Sequence, residues 1–110
     1  MSKKDELTCG TVETVILKLL FEKAMYGYEL IKLVNLRTNG YFEWREGSLY
    51  PCLHRLETEE LIASFWQEYN GKRRKYYMLT KKGTVAAEER ASEAREFCRA
   101  FSLLLGTAEA

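Results

Sequence analysis

Apolar side chains recur at helical spacing near the start of the chain. Five aliphatic residues follow the i, i+3, i+4, i+7, i+8 pattern that puts one apolar stripe on a helix: Val12, Val15, Ile16, Leu19 and Leu20. This spacing predicts a first helix from near Leu7 to around Glu22. A second amphipathic segment begins at Gly27, and Thr38-Asn39-Gly40 is a typical stop signal for it.

The third apolar segment starts with a capping residue. We expect Ser48 to be the N-cap of a third helix, with Pro51 in the first turn, where a missing N–H has no cost. Four residues at helical spacing then predict its inner face: Leu49, Cys52, Leu53 and Leu56. The opposite face carries Tyr50, Pro51, His54 and Arg55.

A change from helical spacing to alternation marks a β-hairpin. Residues 63–69 alternate in character, and the Asn70-Gly71 pair that follows tolerates the positive φ angles of a tight turn. A return strand is predicted over 73–79, and Thr80 is a suitable cap for a last helix over about 81–105.

The last helix carries a heptad seam formed by Ala87, Ala91, Ala94, Cys98, Phe101 and Leu105. A helix of about 25 residues is about 37 Å long, which is longer than a domain of this size can cover. Folding back as a core helix is the alternative, but the seam favours pairing with a second copy. The sequence therefore predicts a globular domain at 1–80 and a dimerisation helix at 81–110.

Composition excludes several classes of protein. The chain has 110 residues, 46% hydrophobic and 30% charged, which is typical of one globular domain. It has no apolar run of membrane-spanning length and its N-terminus does not resemble a signal peptide, so we expect a cytoplasmic protein with no membrane partner. Three scattered cysteines and one histidine argue against a zinc site, and we expect neither a metal nor a cofactor.

The positive charge is concentrated in one short stretch. Residues 70–82 carry six cations and no acid, whereas residues 48–69 carry one cation and four acids. Localised cationic charge is what contact with a phosphate backbone requires, although a solvated loop is the alternative. Three helices followed by a hairpin with a cationic tip describe an α+β, mainly α, winged helix-turn-helix.

Several separated motifs resemble the PadR family of bacterial transcriptional regulators. They are Tyr26-Gly27-Tyr28-Glu29-Leu30, Gly47-Ser48-Leu49-Tyr50-Pro51, Leu53-His54-Arg55-Leu56-Glu57 and Gly71-Lys72-Arg73-Arg74-Lys75-Tyr76-Tyr77. The resemblance covers about residues 10–84 and looks like the short-chain branch with a single C-terminal helix. It implies that Tyr28, Ser48, Tyr50, Pro51 and Arg55 face DNA and that Lys72, Arg73, Arg74 and Lys75 lie on the wing; His54 joins them on the outer face of the third helix.

The resemblance also implies a repressor that responds to small aromatic or lipophilic compounds. An effector cleft between subunits is one interpretation of the aromatic seam, lined by Leu7, Val15, Phe97 and Phe101; a filled dimer core is the other. An enzyme is not expected, because the sequence has no nucleophile–His–acid set and no Gly-rich phosphate loop. We expect a homodimer on a pseudo-palindromic operator, and the alternative is a winged-helix adaptor that binds proteins.

Overall fold

The structure is a computed structural model that describes residues 9–106. In chain order the elements are α1 (Cys9–Glu22), β1 (Met25–Tyr26), α2 (Gly27–Arg37), α3 (Glu46–Thr58), β2 (Ile62–Tyr69), β3 (Lys72–Leu79) and α4 (Lys81–Leu105). This is the mainly helical α+β, winged-helix arrangement that the sequence predicts. The expected start of the first helix near Leu7 lies outside the described residues.

The core forms where α1, α2 and α3 meet the base of the hairpin. Ile16, Leu30 and Leu53 are among its buried residues, one from each helix. The predicted inner face of α3 is confirmed, because all four of its residues are buried. Ile62 and Tyr77 close the core from the sheet side.

The sheet has a strand that the sequence did not predict. β1 pairs antiparallel with β3, so that Met25 lies opposite Tyr77 and the strand order is β1-β3-β2. Two residues are too few to show alternation, and Tyr26-Gly27 indicated only a break before α2. The pairing buries Met25 completely and sets the Tyr26 ring edge-on to Tyr76, with centroids 5.4 Å apart.

The hairpin turn is the one that its sequence predicts. Asn70 has φ 51° and Gly71 has φ 76°, both in the left-handed region, which identifies a type I′ turn. The register closes with Tyr69 opposite Lys72, so the strands remain paired up to the turn. The cationic residues of β3 therefore lie on a two-stranded ribbon that is paired along its whole length.

The predicted N-cap of α3 is wrong by three residues, because the structure places it at Arg45 rather than at Ser48. The Arg45 carbonyl accepts hydrogen bonds from the N–H groups of Ser48 at 3.0 Å and Leu49 at 2.9 Å, so the helix begins at Glu46. Ser48 therefore lies within the first turn rather than capping it, and Pro51 lies in the second turn. The carbonyl that Pro51 leaves without a donor belongs to Gly47, an exposed residue, where water can satisfy it.

The first half of α4 packs on its own subunit. The Thr80 hydroxyl caps the helix by accepting the Gly83 N–H at 3.0 Å, as predicted. Ala87 and Ala91 are only 0% and 6% exposed, so the expectation that they contact a second copy is wrong. Small side chains let α4 approach α1 closely, which uses this part of the seam inside one chain. Ala94, Cys98, Phe101 and Leu105 are exposed, and their role at an interface stays a prediction.

Candidate nucleic-acid interface

A concave surface separates the wing from the starts of α2 and α3. We call it the wing cleft: a cavity of about 350 Å³ lined by Tyr26, Gly27, Tyr28, Tyr50, Trp66, Arg74, Lys75 and Tyr77. Four of these residues are among those that the sequence assigned to DNA contact: Tyr28, Tyr50, Arg74 and Lys75. The fold therefore brings the start of the predicted recognition helix and the wing together around one opening.

The outward arc of α3 is narrow. Gly47, Pro51, His54 and Thr58 are spaced four, three and four residues apart and are all exposed, which defines one solvent-facing stripe. Tyr50 flanks this stripe on the side of the wing cleft. Ser48 is only half-buried, at the edge of the stripe. The major groove of B-DNA is wide enough to admit a helix that presents a solvent-facing stripe of this kind.

Tyr50 is held in place by the absence of a side chain at Gly27. A Cβ atom built on Gly27 would lie 2.9 Å from Cζ of Tyr50 and closer still to its hydroxyl oxygen. Burial raises the pKa of Tyr50 above its usual 10.0, and the nearby Glu46 carboxylate adds to this effect. The hydroxyl therefore stays protonated at neutral pH and can donate a hydrogen bond beside the N-terminus of α2.

The wing cations do not all point the same way. Side chains alternate along β3, so Arg73 and Lys75 share the face of buried Tyr77, while Lys72 and Arg74 lie on the opposite face. Arg73 and Lys75 thus extend the core-side face of the sheet outward to the tip of the wing. Lys75 and Tyr77 of this face line the wing cleft together with Arg74 of the opposite face.

Aromatic rings orient two of the wing arginines. The Arg73 guanidinium lies 4.9 Å from the ring centre of Trp66, and that of Arg74 lies between Tyr26 at 4.5 Å and Tyr69 at 4.4 Å. Stacking on a ring face leaves the N–H groups at the guanidinium edge available for phosphate oxygens. Trp66 was not predicted as a site residue, although an exposed tryptophan placed opposite a cation across the hairpin is the signal that could have found it.

Arg55 lies apart from the wing cleft. Its Nη1 atom is 3.4 Å from Oε2 of Glu13 on α1, and the side chain remains 55% exposed. The structure thus places Arg55 on the flank of α3 that faces α1, whereas Tyr50 lies on the flank that faces the wing. The DNA contact predicted for Arg55 stays a prediction.

Of the residues predicted to line an effector cleft, the structure describes Val15, Phe97 and Phe101. Phe97 and Phe101 stack on each other at 5.8 Å near the exposed end of α4. Val15 lines a different cavity, of about 150 Å³, with Leu19, Val34, Phe42 and Trp44 among its other walls. Leu7 lies outside the described residues.

Two further features that bear on function are metal sites and membrane-spanning helices. Across residues 9–106, no group of His, Cys, Asp and Glu side chains is arranged to hold a metal ion. None of the helices in that range combines the length and apolar character that crossing a bilayer requires.

The protein has a three-helix core and a hairpin wing whose arginines stack on aromatic rings, and a cleft lies between the wing and the starts of α2 and α3. These features define a winged-helix protein of the DNA-binding class. Residues 16–89 match the model of the Transcriptional regulator PadR-like family, and the chain belongs to that family. The resemblance drawn from its motifs is confirmed, as is the expectation of a transcriptional regulator rather than an enzyme.

The chain is also similar to individual proteins. A Lysinibacillus sphaericus protein described as "Uncharacterized protein X" is 32% identical over 103 residues, which cover 93% of this chain and 94% of that one. The Escherichia coli "Transcriptional regulator YqjI" is 36% identical over 73% of this chain, which corresponds to 37% of its own length. The crystal structure of a PadR family transcription regulator from Clostridium difficile matches with a TM-score of 0.73 and 34% identity, covering 86% of this chain and 98% of that chain.

Proposed function

We propose that the protein represses transcription by binding a pseudo-palindromic operator as a homodimer. The outward stripe of α3 enters the major groove, and Lys72, Arg73, Arg74 and Lys75 contact the flanking phosphates. The observation that carries this proposal is the wing cleft, in which the start of α3 and the cationic ribbon converge. Tyr28 and Tyr50 line the cleft with hydroxyl groups that can donate to phosphate oxygens.

The exposed end of α4 supports a dimer. Beyond Ala91 every apolar side chain of this helix is exposed, including Phe97 at 68% and Leu104 at 84%. An apolar surface of this kind on a helix that projects from its domain is typical of an interaction site. A second copy can cover it, since the cavity beside Val15 and Trp44 offers an apolar receptor on the partner's α1 side.

Release by a small aromatic or lipophilic compound is part of the same proposal. The stacked Phe97 and Phe101 rings provide an aromatic surface at the expected interface, and Val15 of the partner faces the apolar cavity. Titration of aromatic compounds into wild type and Phe101→Ala tests this site. Equal affinities, or no binding to either protein, would remove the effector cleft and leave a filled dimer core.

The test of DNA binding is a fluorescence anisotropy titration with the duplex upstream of the protein's own gene. Random duplex serves as competitor, and the titration is repeated over a salt series. Two subunits that neutralise about six to ten phosphates predict a slope of roughly −5 to −9 for log affinity against log salt.

Matched variants identify the cations that are responsible for the salt dependence of DNA binding. Arg73→Gln removes one cation per subunit and should make the slope less steep by about 0.9 for each phosphate that the variant no longer neutralises. Lys18→Gln makes the same charge change on α1, outside the wing cleft, and should leave the slope unchanged. Weak binding equal to that of random duplex, with no effect of Arg73→Gln, would favour the protein-binding adaptor instead.

A further inference from the structure

Glu13 is a buried acid that joins three helices. Its side chain, on α1, is only 7% exposed. Its Oε2 atom lies 3.4 Å from Nη1 of Arg55 on α3, and its Oε1 atom lies 3.5 Å from Nη1 of Arg90 on α4. One carboxylate therefore faces an arginine from α3 and an arginine from α4.

The acid, more than the arginines, requires this arrangement. A carboxylate removed from water is costly unless positive partners surround it. Arg55 and Arg90 remain 55% and 35% exposed, so water can solvate them wherever their helices lie. Apolar packing alone would tolerate small rotations of α3 or α4. The arrangement in which both guanidinium groups reach Glu13 is therefore lower in free energy than the rotated arrangements that separate them.

The two helices joined in this way have different tasks in the proposed function. α3 carries the outward stripe that enters the groove, while α4 carries the exposed apolar end that meets the second subunit. In a dimer, the angle between α3 and α4 within each subunit sets the distance and rotation between the two reading helices.

We propose that Glu13 is a positioning residue that fixes α3 relative to α4 and thereby selects the spacing of the operator half-sites. Arg55 then links α3 to Glu13 instead of reading a base, which accounts for its place on the flank of α3 away from the wing cleft. The inference rests on the proposed function, because half-site spacing has meaning only for a dimer on a two-part operator.

The experiment measures spacing preference rather than affinity alone. A duplex is selected from a random-sequence pool by wild-type protein, and derivatives are made with one or two base pairs inserted or deleted between its half-sites. Each inserted pair separates the half-sites by about 3.4 Å and rotates them by about 35°. Wild type should lose about tenfold in affinity for each of the first changes in spacing.

Glu13→Gln keeps the size of the side chain and removes its charge. We expect this variant to bind all spacings within about threefold of one another. Arg90→Met removes only the link to α4, leaves the Glu13–Arg55 pair, and should flatten the profile in the same way. Glu88→Gln, the same change at an exposed acid of α4, should keep the wild-type profile.

The outcomes separate this inference from the function on which it rests. Circular dichroism and sedimentation establish that each variant is folded and dimeric; if Glu13→Gln does not fold, Arg90→Met alone decides. A folded variant that keeps the wild-type preference, or that loses affinity equally at every spacing, overturns the role of Glu13. If wild type itself selects no duplex, the proposed operator binding is what fails, and the spacing role falls with it.

Discussion

Replacing Gly27 with alanine should change the DNA affinity and the stability of the protein in opposite directions. Gly27 is the first residue of α2, and its φ is not among the positive values in the chain, so alanine can adopt its backbone conformation. The added Cβ would instead meet the side chain of Tyr50. Cζ of Tyr50, at 2.9 Å, has to withdraw by at least 0.5 Å to reach an ordinary contact of 3.4 Å, and the hydroxyl must move farther.

Gly27→Ala should raise the stability of the protein and lower its affinity for DNA. Because Tyr50 is exposed at its edge, its ring can swing outward, and Gly→Ala at a compatible site contributes about 0.4–1 kcal/mol to stability. Binding should weaken, since a hydrogen bond to a charged phosphate is worth about 1.5–3 kcal/mol and its geometry fails beyond about 3.5 Å. That range corresponds to roughly tenfold to a hundredfold in affinity per subunit.

The assay pairs urea unfolding with the anisotropy titration. Gly47→Ala is the control for stability, because it makes the same change in the first turn of α3 with no atom within 4 Å of the new Cβ. Combining Gly27→Ala with Tyr50→Phe should lower affinity no more than Tyr50→Phe does alone, since both changes remove the same hydrogen bond. Unchanged affinity in Gly27→Ala, or fully additive losses in the double variant, would refute the dependence of Tyr50 on Gly27.

Two further predictions concern stability. Gly83→Ala should lower the free energy of unfolding by about 2 kcal/mol, despite a gain in helix propensity of about 1 kcal/mol, because the new Cβ collides with the Leu61 carbonyl; unfolding in urea as stable as wild type would contradict this. Two hydrogen bonds from Arg37, at 2.7 and 2.9 Å, lower the pKa of Glu22 below its usual 4.5. Their stabilisation is present above pH 4.5 and is lost as pH falls through the lowered pKa. Glu22→Gln should therefore lower the Tm at pH 7 but match wild type well below pH 4.5, and a constant difference at all pH values would count against the pair.

Much of the candidate site could be predicted because its signals are local. The Asn70-Gly71 turn, the cations after it and the tyrosines at 28 and 50 lie in short motifs whose meaning depends on immediate neighbours. The two-residue strand β1 could not be predicted, because Met25 and Tyr26 become a strand only when β3 lies beside them. The stacking of Arg73 on Trp66 likewise depends on a register between strands.

The sequence by itself determined the order of the four helices and the two hairpin strands, the inner face of α3 and the position of the excess charge. These follow from periodicity, turn chemistry and the placement of charged residues along the chain, which act over a few residues at a time. Only the tertiary structure decided which surface each remaining helix face contacts. The seam of α4 predicted one continuous interface, but Ala87 and Ala91 pack inside their own subunit because α1 offers a closer apolar partner. The motif of Arg55 predicts a DNA contact, and only the tertiary structure shows that its guanidinium also lies beside the buried carboxylate of Glu13, 42 residues earlier in the chain. Sequence patterns that span a few residues cannot reveal a contact between residues so far apart.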